Sequence, residues 1–94
     1  MMGETIARRV YTLSGGTTTE VVVEIQRPVP DQSDYRCDYS IGWPDGQKLS
    51  HAMGVDSVQA LVLALKKLAV DISTSDEALS GRLTWLDNND NFGL

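Results

Sequence analysis

A chain of 94 residues with a formal charge of −5, 41% hydrophobic and 22% charged, has the composition of one small folded domain, not of a disordered segment. A pI near 4.5 leaves it without the basic footprint that nucleic-acid backbones or anionic membrane surfaces require. Its single cysteine removes disulfide scaffolds and cysteine-based zinc sites, and fits a reducing, cytoplasmic setting.

The chain opens on Met1-Met2-Gly3-Glu4, which runs into charge where a signal peptide would turn apolar, so no signal peptide is expected. Ala7 stands where a lipidated Gly3 would need Ser or Thr. A first strand is predicted over Glu4–Leu13, with Gly15-Gly16 as a two-residue hairpin turn. The second covers Thr18–Gln26, where Val21, Val22, Val23 and Ile25 favour extended backbone. Pro28 and Pro30 end it. Tyr35, Cys37, Tyr39, Ile41 and Trp43 alternate with polar residues and give the third strand. Pro44-Asp45-Gly46 then turns the chain into a fourth over Gln47–Met53.

A long helix follows, with apolar residues at Val58, Leu61, Val62, Leu65, Leu68 and Ala69. Asp56 is its N-cap, and Gln59 completes a capping box. Lys66 and Lys67 interrupt the apolar run, which is too short to span a membrane. A short helix is predicted from Thr74, with Glu77 as capping partner and Gly81 as stop. Arg82–Leu86 reads as a further strand or an extended segment, and Asp87–Leu94 as a frayed tail.

Register follows from the turns. A two-residue loop at Gly15-Gly16 sets Val10 opposite Val21 and Arg8 opposite Val23, on the side meant for the helix. Arg9, Tyr11, Leu13, Glu20, Val22 and Glu24 then share the other face, with Arg9 between the two glutamates. A three-residue turn in the second hairpin sets Ile41 opposite Leu49, Tyr39 opposite His51 and Cys37 opposite Met53. The fold expected is a two-layer α+β domain: a four-stranded antiparallel meander with one face under a long helix.

Chemistry is sparse. His51 and Cys37 fall diagonally on one predicted face, about 7–8 Å apart along the backbones, too far for a nucleophile and base without convergent side chains. A half-buried packing histidine is the plainer reading. Asp31, Asp34, Asp38 and Asp45 form an acidic patch that reads better as solvated turn carboxylates than as a cation site. Asp87-Asn88-Asn89-Asp90-Asn91 opens like a calcium loop, but Phe92 takes the glycine position and the closing glutamate is missing. Phosphate loops, nucleophile elbows and paired histidines do not occur in the sequence. No cofactor and no metal are therefore expected. Charge is uneven: residues 1–30 sum to 0, 31–56 to −3 and 57–94 to −2, so the second hairpin would steer a basic partner.

Three segments carry a resemblance: Pro28-Val29-Pro30-Asp31 with Tyr35-Arg36-Cys37; Gly54-Val55-Asp56-Ser57-Val58-Gln59-Ala60-Leu61 with Leu63-Ala64-Leu65; and Gly81-Arg82-Leu83-Thr84-Trp85-Leu86. Together they resemble a family of short bacterial proteins catalogued as a conserved domain of unknown function. The resemblance implies a stand-alone cytoplasmic domain and brings no catalytic or binding residues with it.

The leading expectation is a non-enzymatic module that binds a protein partner or itself through the sheet face or an edge strand. The mixed face of Arg9, Tyr11, Leu13, Glu20, Val22 and Glu24 motivates it. A small acidic immunity or inhibitor protein that neutralises a basic partner is the alternative. An enzyme using His51 ranks last.

Overall fold

In the computed structural model, residues 3–94 are described; the reading of Met1 and Met2 as the start of a charged N-terminus lies outside them. The strands are β1 (Thr5–Leu13), β2 (Thr19–Gln26), β3 (Val29–Asp31), β4 (Asp34–Trp43), β5 (Gly46–Gly54) and β6 (Leu83–Thr84), and the helices are α1 (Ser57–Ser73) and α2 (Asp76–Leu79). All pair antiparallel in one sheet. β5 runs along one edge of β4, and β3 and β2 meet the other edge end to end. β1 and then β6 lie beyond β2. Thus the described residues form six strands where the sequence suggested four with a further strand or extended segment at Arg82–Leu86, which is a strand over Leu83–Thr84 only. The four long ones are neighbours in chain order, and the two extra pieces are three and two residues long. β3 exists because Pro28 interrupts β2 without turning the chain away, so Val29–Asp31 resumes pairing on β4, and a proline is tolerated on such an edge piece.

Both hairpin registers differ by one residue from expectation. In the first, Leu13 pairs Thr19 and Tyr11 pairs Val21, leaving five loop residues instead of two between the strands. Arg82 holds this wider loop: Ser14 N donates to the Arg82 carbonyl at 3.0 Å, and the Arg82 side chain packs on Gly15. In the second, Pro44-Asp45 alone makes the turn and Gly46 already pairs Trp43. One step of register exchanges the faces of a strand. Hence β1 sends Arg9, Tyr11 and Leu13 inward, and β5 sends Leu49, His51 and Met53 outward.

Packing explains why this register wins on β5. Small residues Ser50, Ala52 and Gly54 now face α1, whose buried row is Ala60, Ala64, Leu68 and Ile72. A Cβ on Gly54 would stand 2.3 Å from the Ala60 nitrogen, so the helix crosses there at backbone contact. Leu49 or Met53 under the helix would hold it off. The buried row of α1 is therefore not the expected one. Leu68 belongs to both, but Val58 and Val62 are exposed, turned outward by the close approach of the alanines.

Caps follow the sequence with small shifts. Asp56 accepts from Gln59 N at 2.8 Å, while Gln59 Oε1 accepts from Val55 N at 2.7 Å, closing α1's start reciprocally. Thr74 caps the end of α1, and Ser75, not Thr74, caps α2. The core joins Tyr11, Val21, Val23, Cys37, Tyr39, Ile41, Leu68, Ile72 and Leu83, all 2% exposed or less. Among the described residues no helix is long and apolar enough to cross a membrane.

Candidate functional site

α1 packs on β4 and β5, leaving the β1 end of the same face to be covered by something else. The C-terminal residues do so. Leu86 and Asp87 adopt left-handed φ values of 50° and 67°, and Trp85 and Asn88 exchange two backbone hydrogen bonds of 2.9 Å, a two-residue turn that sends the chain back. The Tyr11 hydroxyl donates to the Phe92 carbonyl at 2.8 Å, and the two rings meet edge to face at 5.9 Å. Arg9 Nη1 donates to the carbonyls of Phe92 and Gly93 at 3.0 and 2.8 Å, while its guanidinium carbon lies 4.1 Å from the centre of the Trp85 ring. Residues 87–94, expected to fray, thus form an anchored strap. Its opening Asp-Asn run serves the turn, which accounts for it without a cation.

This corrects half of the expected interaction surface. Tyr11 and Leu13 are core residues and Arg9 is the strap's anchor; none of the three reaches the open face. Glu20, Val22 and Glu24 do remain there. They are joined by Arg8 opposite Glu24 and Val10 opposite Val22, so the arginine on this face beside Glu24 is Arg8 and not Arg9. Further across, Glu24 lies opposite Ser40 and Ser40 opposite Leu49. Asp38 lies opposite His51, and Arg36 opposite Met53. Arg36 Nε donates to Asp38 Oδ1 at 2.8 Å, which neutralises that carboxylate and pushes the guanidinium pKa up. Leu49 is 60% exposed and Met53 37%, while Val10 and Val22, facing each other on β1 and β2, are half-buried. The open face therefore carries two apolar pairs, Val10 with Val22 on β1 and β2 and Leu49 with Met53 on the edge strand β5, with Arg36, Asp38 and Ser40 of β4 between them.

The expected acidic patch separates. Asp31 and Asp34 pair at the β3–β4 turn, Asp38 sits on the open face, and Asp45 lies at the far turn, roughly 30 Å along β4 from Asp34 at a strand's rise of about 3.3 Å per residue. Asp45 instead joins residues the sequence reading passed over. With Asp71, Asp76 and Glu77 it borders a hollow of about 420 Å³ that also includes Lys48. Lys48 Nζ lies 3.1 Å from Asp71 Oδ1, and the Tyr39 hydroxyl donates to Asp71 Oδ2. Burial first, and then this hydrogen bond, push Tyr39 up to about 12. A signal for Asp71 was available: it stands one position before buried Ile72, where a carboxylate needs partners. Among the described residues no three His, Cys, Asp or Glu side chains converge to hold a metal.

Cys37 and His51 lie on opposite faces of the sheet. The thiol is fully buried on the helix side, where it donates to the Gln26 carbonyl at 3.4 Å, and burial pushes its pKa up. His51 is half-buried on the open side. The register of β5 is what separates them, and a sulfur–imidazole pair is out of reach.

No curated protein matches the chain, and no solved structure does. A family profile matches residues 7–94, covering the three segments that carried the resemblance together with the strap. The chain belongs to that family, described as Domain of unknown function (DUF6968).

Proposed function

We propose that this chain is a non-enzymatic, cytoplasmic protein-interaction module that binds its partner through the open face of the sheet. The observation that carries the reading is the asymmetry of the sheet. One face is closed by α1 and the strap, while the other leaves Val10, Val22, Leu49 and Met53 uncovered among Arg8, Glu24, Arg36 and Asp38. Apolar side chains left uncovered beside charges of both signs have the mixed composition of a recognition surface. Separation of Cys37 from His51 supports the non-enzymatic part.

A second reading, an acidic protein that neutralises a basic partner, is favoured by the hollow at Asp45, Asp71, Asp76 and Glu77. Capture from the native host's lysate at low and high salt separates the two. A partner kept at high salt supports the open face, because burial of apolar area is not screened. A partner lost at high salt but restored by dilution supports the acidic hollow, and a bait that retains nothing at either salt counts against both.

A further inference from the structure

We propose that two copies of this chain join edge to edge along β5, making one continuous sheet with the two α1 helices side by side across a twofold axis. Among the described residues β5 pairs β4 along one side and no strand along the other. Alternate residues of such an edge aim both N–H and C=O outward. Lys67 Nζ donates to the His51 carbonyl at 3.1 Å, which fixes His51 as outward, and with it Gln47, Leu49 and Met53. Leu49 and Met53 stand exposed beside this edge in the sheet layer.

The helix layer repeats the pattern. Lys67 reaches over the edge, so residues three and four away share that flank of α1. Of these, Ala64 and Asp71 turn towards the sheet, and Leu63 and Val70 stand outward, 38% and 58% exposed. Both layers thus leave apolar side chains beside the same unpaired strand. An extended peptide would satisfy the strand and leave Leu63 and Val70 in water. A second copy presents strand and helix in the same two layers, which a self-complementary twofold contact requires.

Charge and size agree. β5 carries no carboxylate, and its one cation, Lys48, is tied to Asp71 at 3.1 Å, so the edge escapes the repulsion a chain of −5 would otherwise meet. Nine residues at about 3.3 Å rise, two layers deep, give an edge of roughly 30 by 20 Å. That is about 600 Å² before side-chain relief, close to the ~800 Å² per partner of a standard stable interface. Lys67 is the device that opposes pairing, since a lysine on the outward carbonyl blunts the edge. This proposal does not rest on the open-face reading; if both hold, the dimer widens that face.

Sedimentation equilibrium of the full chain across micromolar to millimolar concentration tests it. The mass is expected to rise from 10.3 kDa towards twice that value. Leu63→Glu with Val70→Glu should weaken association at least tenfold with the circular dichroism unchanged. Gln47→Pro, which removes one outward N–H, should act the same way, and Lys67→Ala should strengthen association several-fold. Amide exchange gives a reading that needs no variant: Leu49, His51 and Met53 should exchange slowly in concentrated solution and fast on dilution. A mass of 10.3 kDa throughout overturns the proposal. So does a dimer that Lys67→Ala weakens, or one indifferent to the edge variants and dissolved by Val10→Lys, which would assign self-association to the open face.

Discussion

Val10 and Tyr11 are consecutive in β1 and live under different constraints. Tyr11 is enclosed between Phe92 and the sheet, its hydroxyl committed to a strap carbonyl. Val10 stands half-buried on a face with nothing above it. The same contrast runs along every long strand. On the covered side each side chain's volume is matched by another element, as Gly54 is by Ala60. On the open side only alternation and charge pairing constrain the residues. Packing accounts for the first set; on the open face strand propensity accounts for Val10 and Val22, and the proposed binding role is what would account for Leu49 and Met53.

Substitutions should separate the two faces by size of effect. Leu68→Ala, in the buried row of α1, should cost about 2–5 kcal/mol in denaturant unfolding. Gly54→Ala should cost about 1–3 kcal/mol, because its methyl meets helix backbone that has no rotamer to move into. Arg9→Ala removes a ring contact and two hydrogen bonds from the strap. A loss of about 1–2 kcal/mol is expected, with a shift in Trp85 emission as the strap loosens. Gly93→Ala should act in the same direction, since its φ is +72° and an added Cβ would clash with the Arg9 guanidinium and the Trp85 ring. On the open face, exchanging the facing pair Val10→Lys and Val22→Glu should change stability by less than about 1 kcal/mol. An open-face cost as large as that of Leu68→Ala would erase the distinction.

Tyr39 adds a pH signature to the covered side. Its folded pKa of about 12 lies above the ordinary 10.0, so the unfolded chain releases this proton first. Stability is then whole below pH 10 and falls as pH rises from 10 to 12. Tyr39→Phe should flatten that fall, read as unfolding midpoints across the range. An equally steep fall in the variant would place the cause elsewhere.

Which features were legible in the sequence follows from how far apart their causes lie. α1's cap, the inward set Val21, Val23 and Ile25, and the alternation of β4 depend on neighbours within a few residues, and all were readable. The strap was not, because Arg9 meets its carbonyls 83 and 84 positions away and the turn puts Leu86, which does not favour a left-handed backbone, at its first central position. The register of β1 failed for a related reason: Gly15-Gly16 looks like a tight turn until Arg82 is seen holding a wider one. On β5 the bulky residues suggested the inner face, whereas the close crossing of α1 demanded small ones. The β1 error placed Arg9, Tyr11 and Leu13 on the wrong side of the candidate site, although Glu20, Val22 and Glu24 were placed correctly, and the β5 error turned Leu49, His51 and Met53 to the wrong face.

The most direct test is a side-by-side capture with the wild-type chain and the Val10→Lys/Val22→Glu variant as baits, their unfolding midpoints matched beforehand. Binding through the open face predicts a protein retained by the wild type at high salt and lost from the variant. The same protein recovered equally by both baits would contradict it.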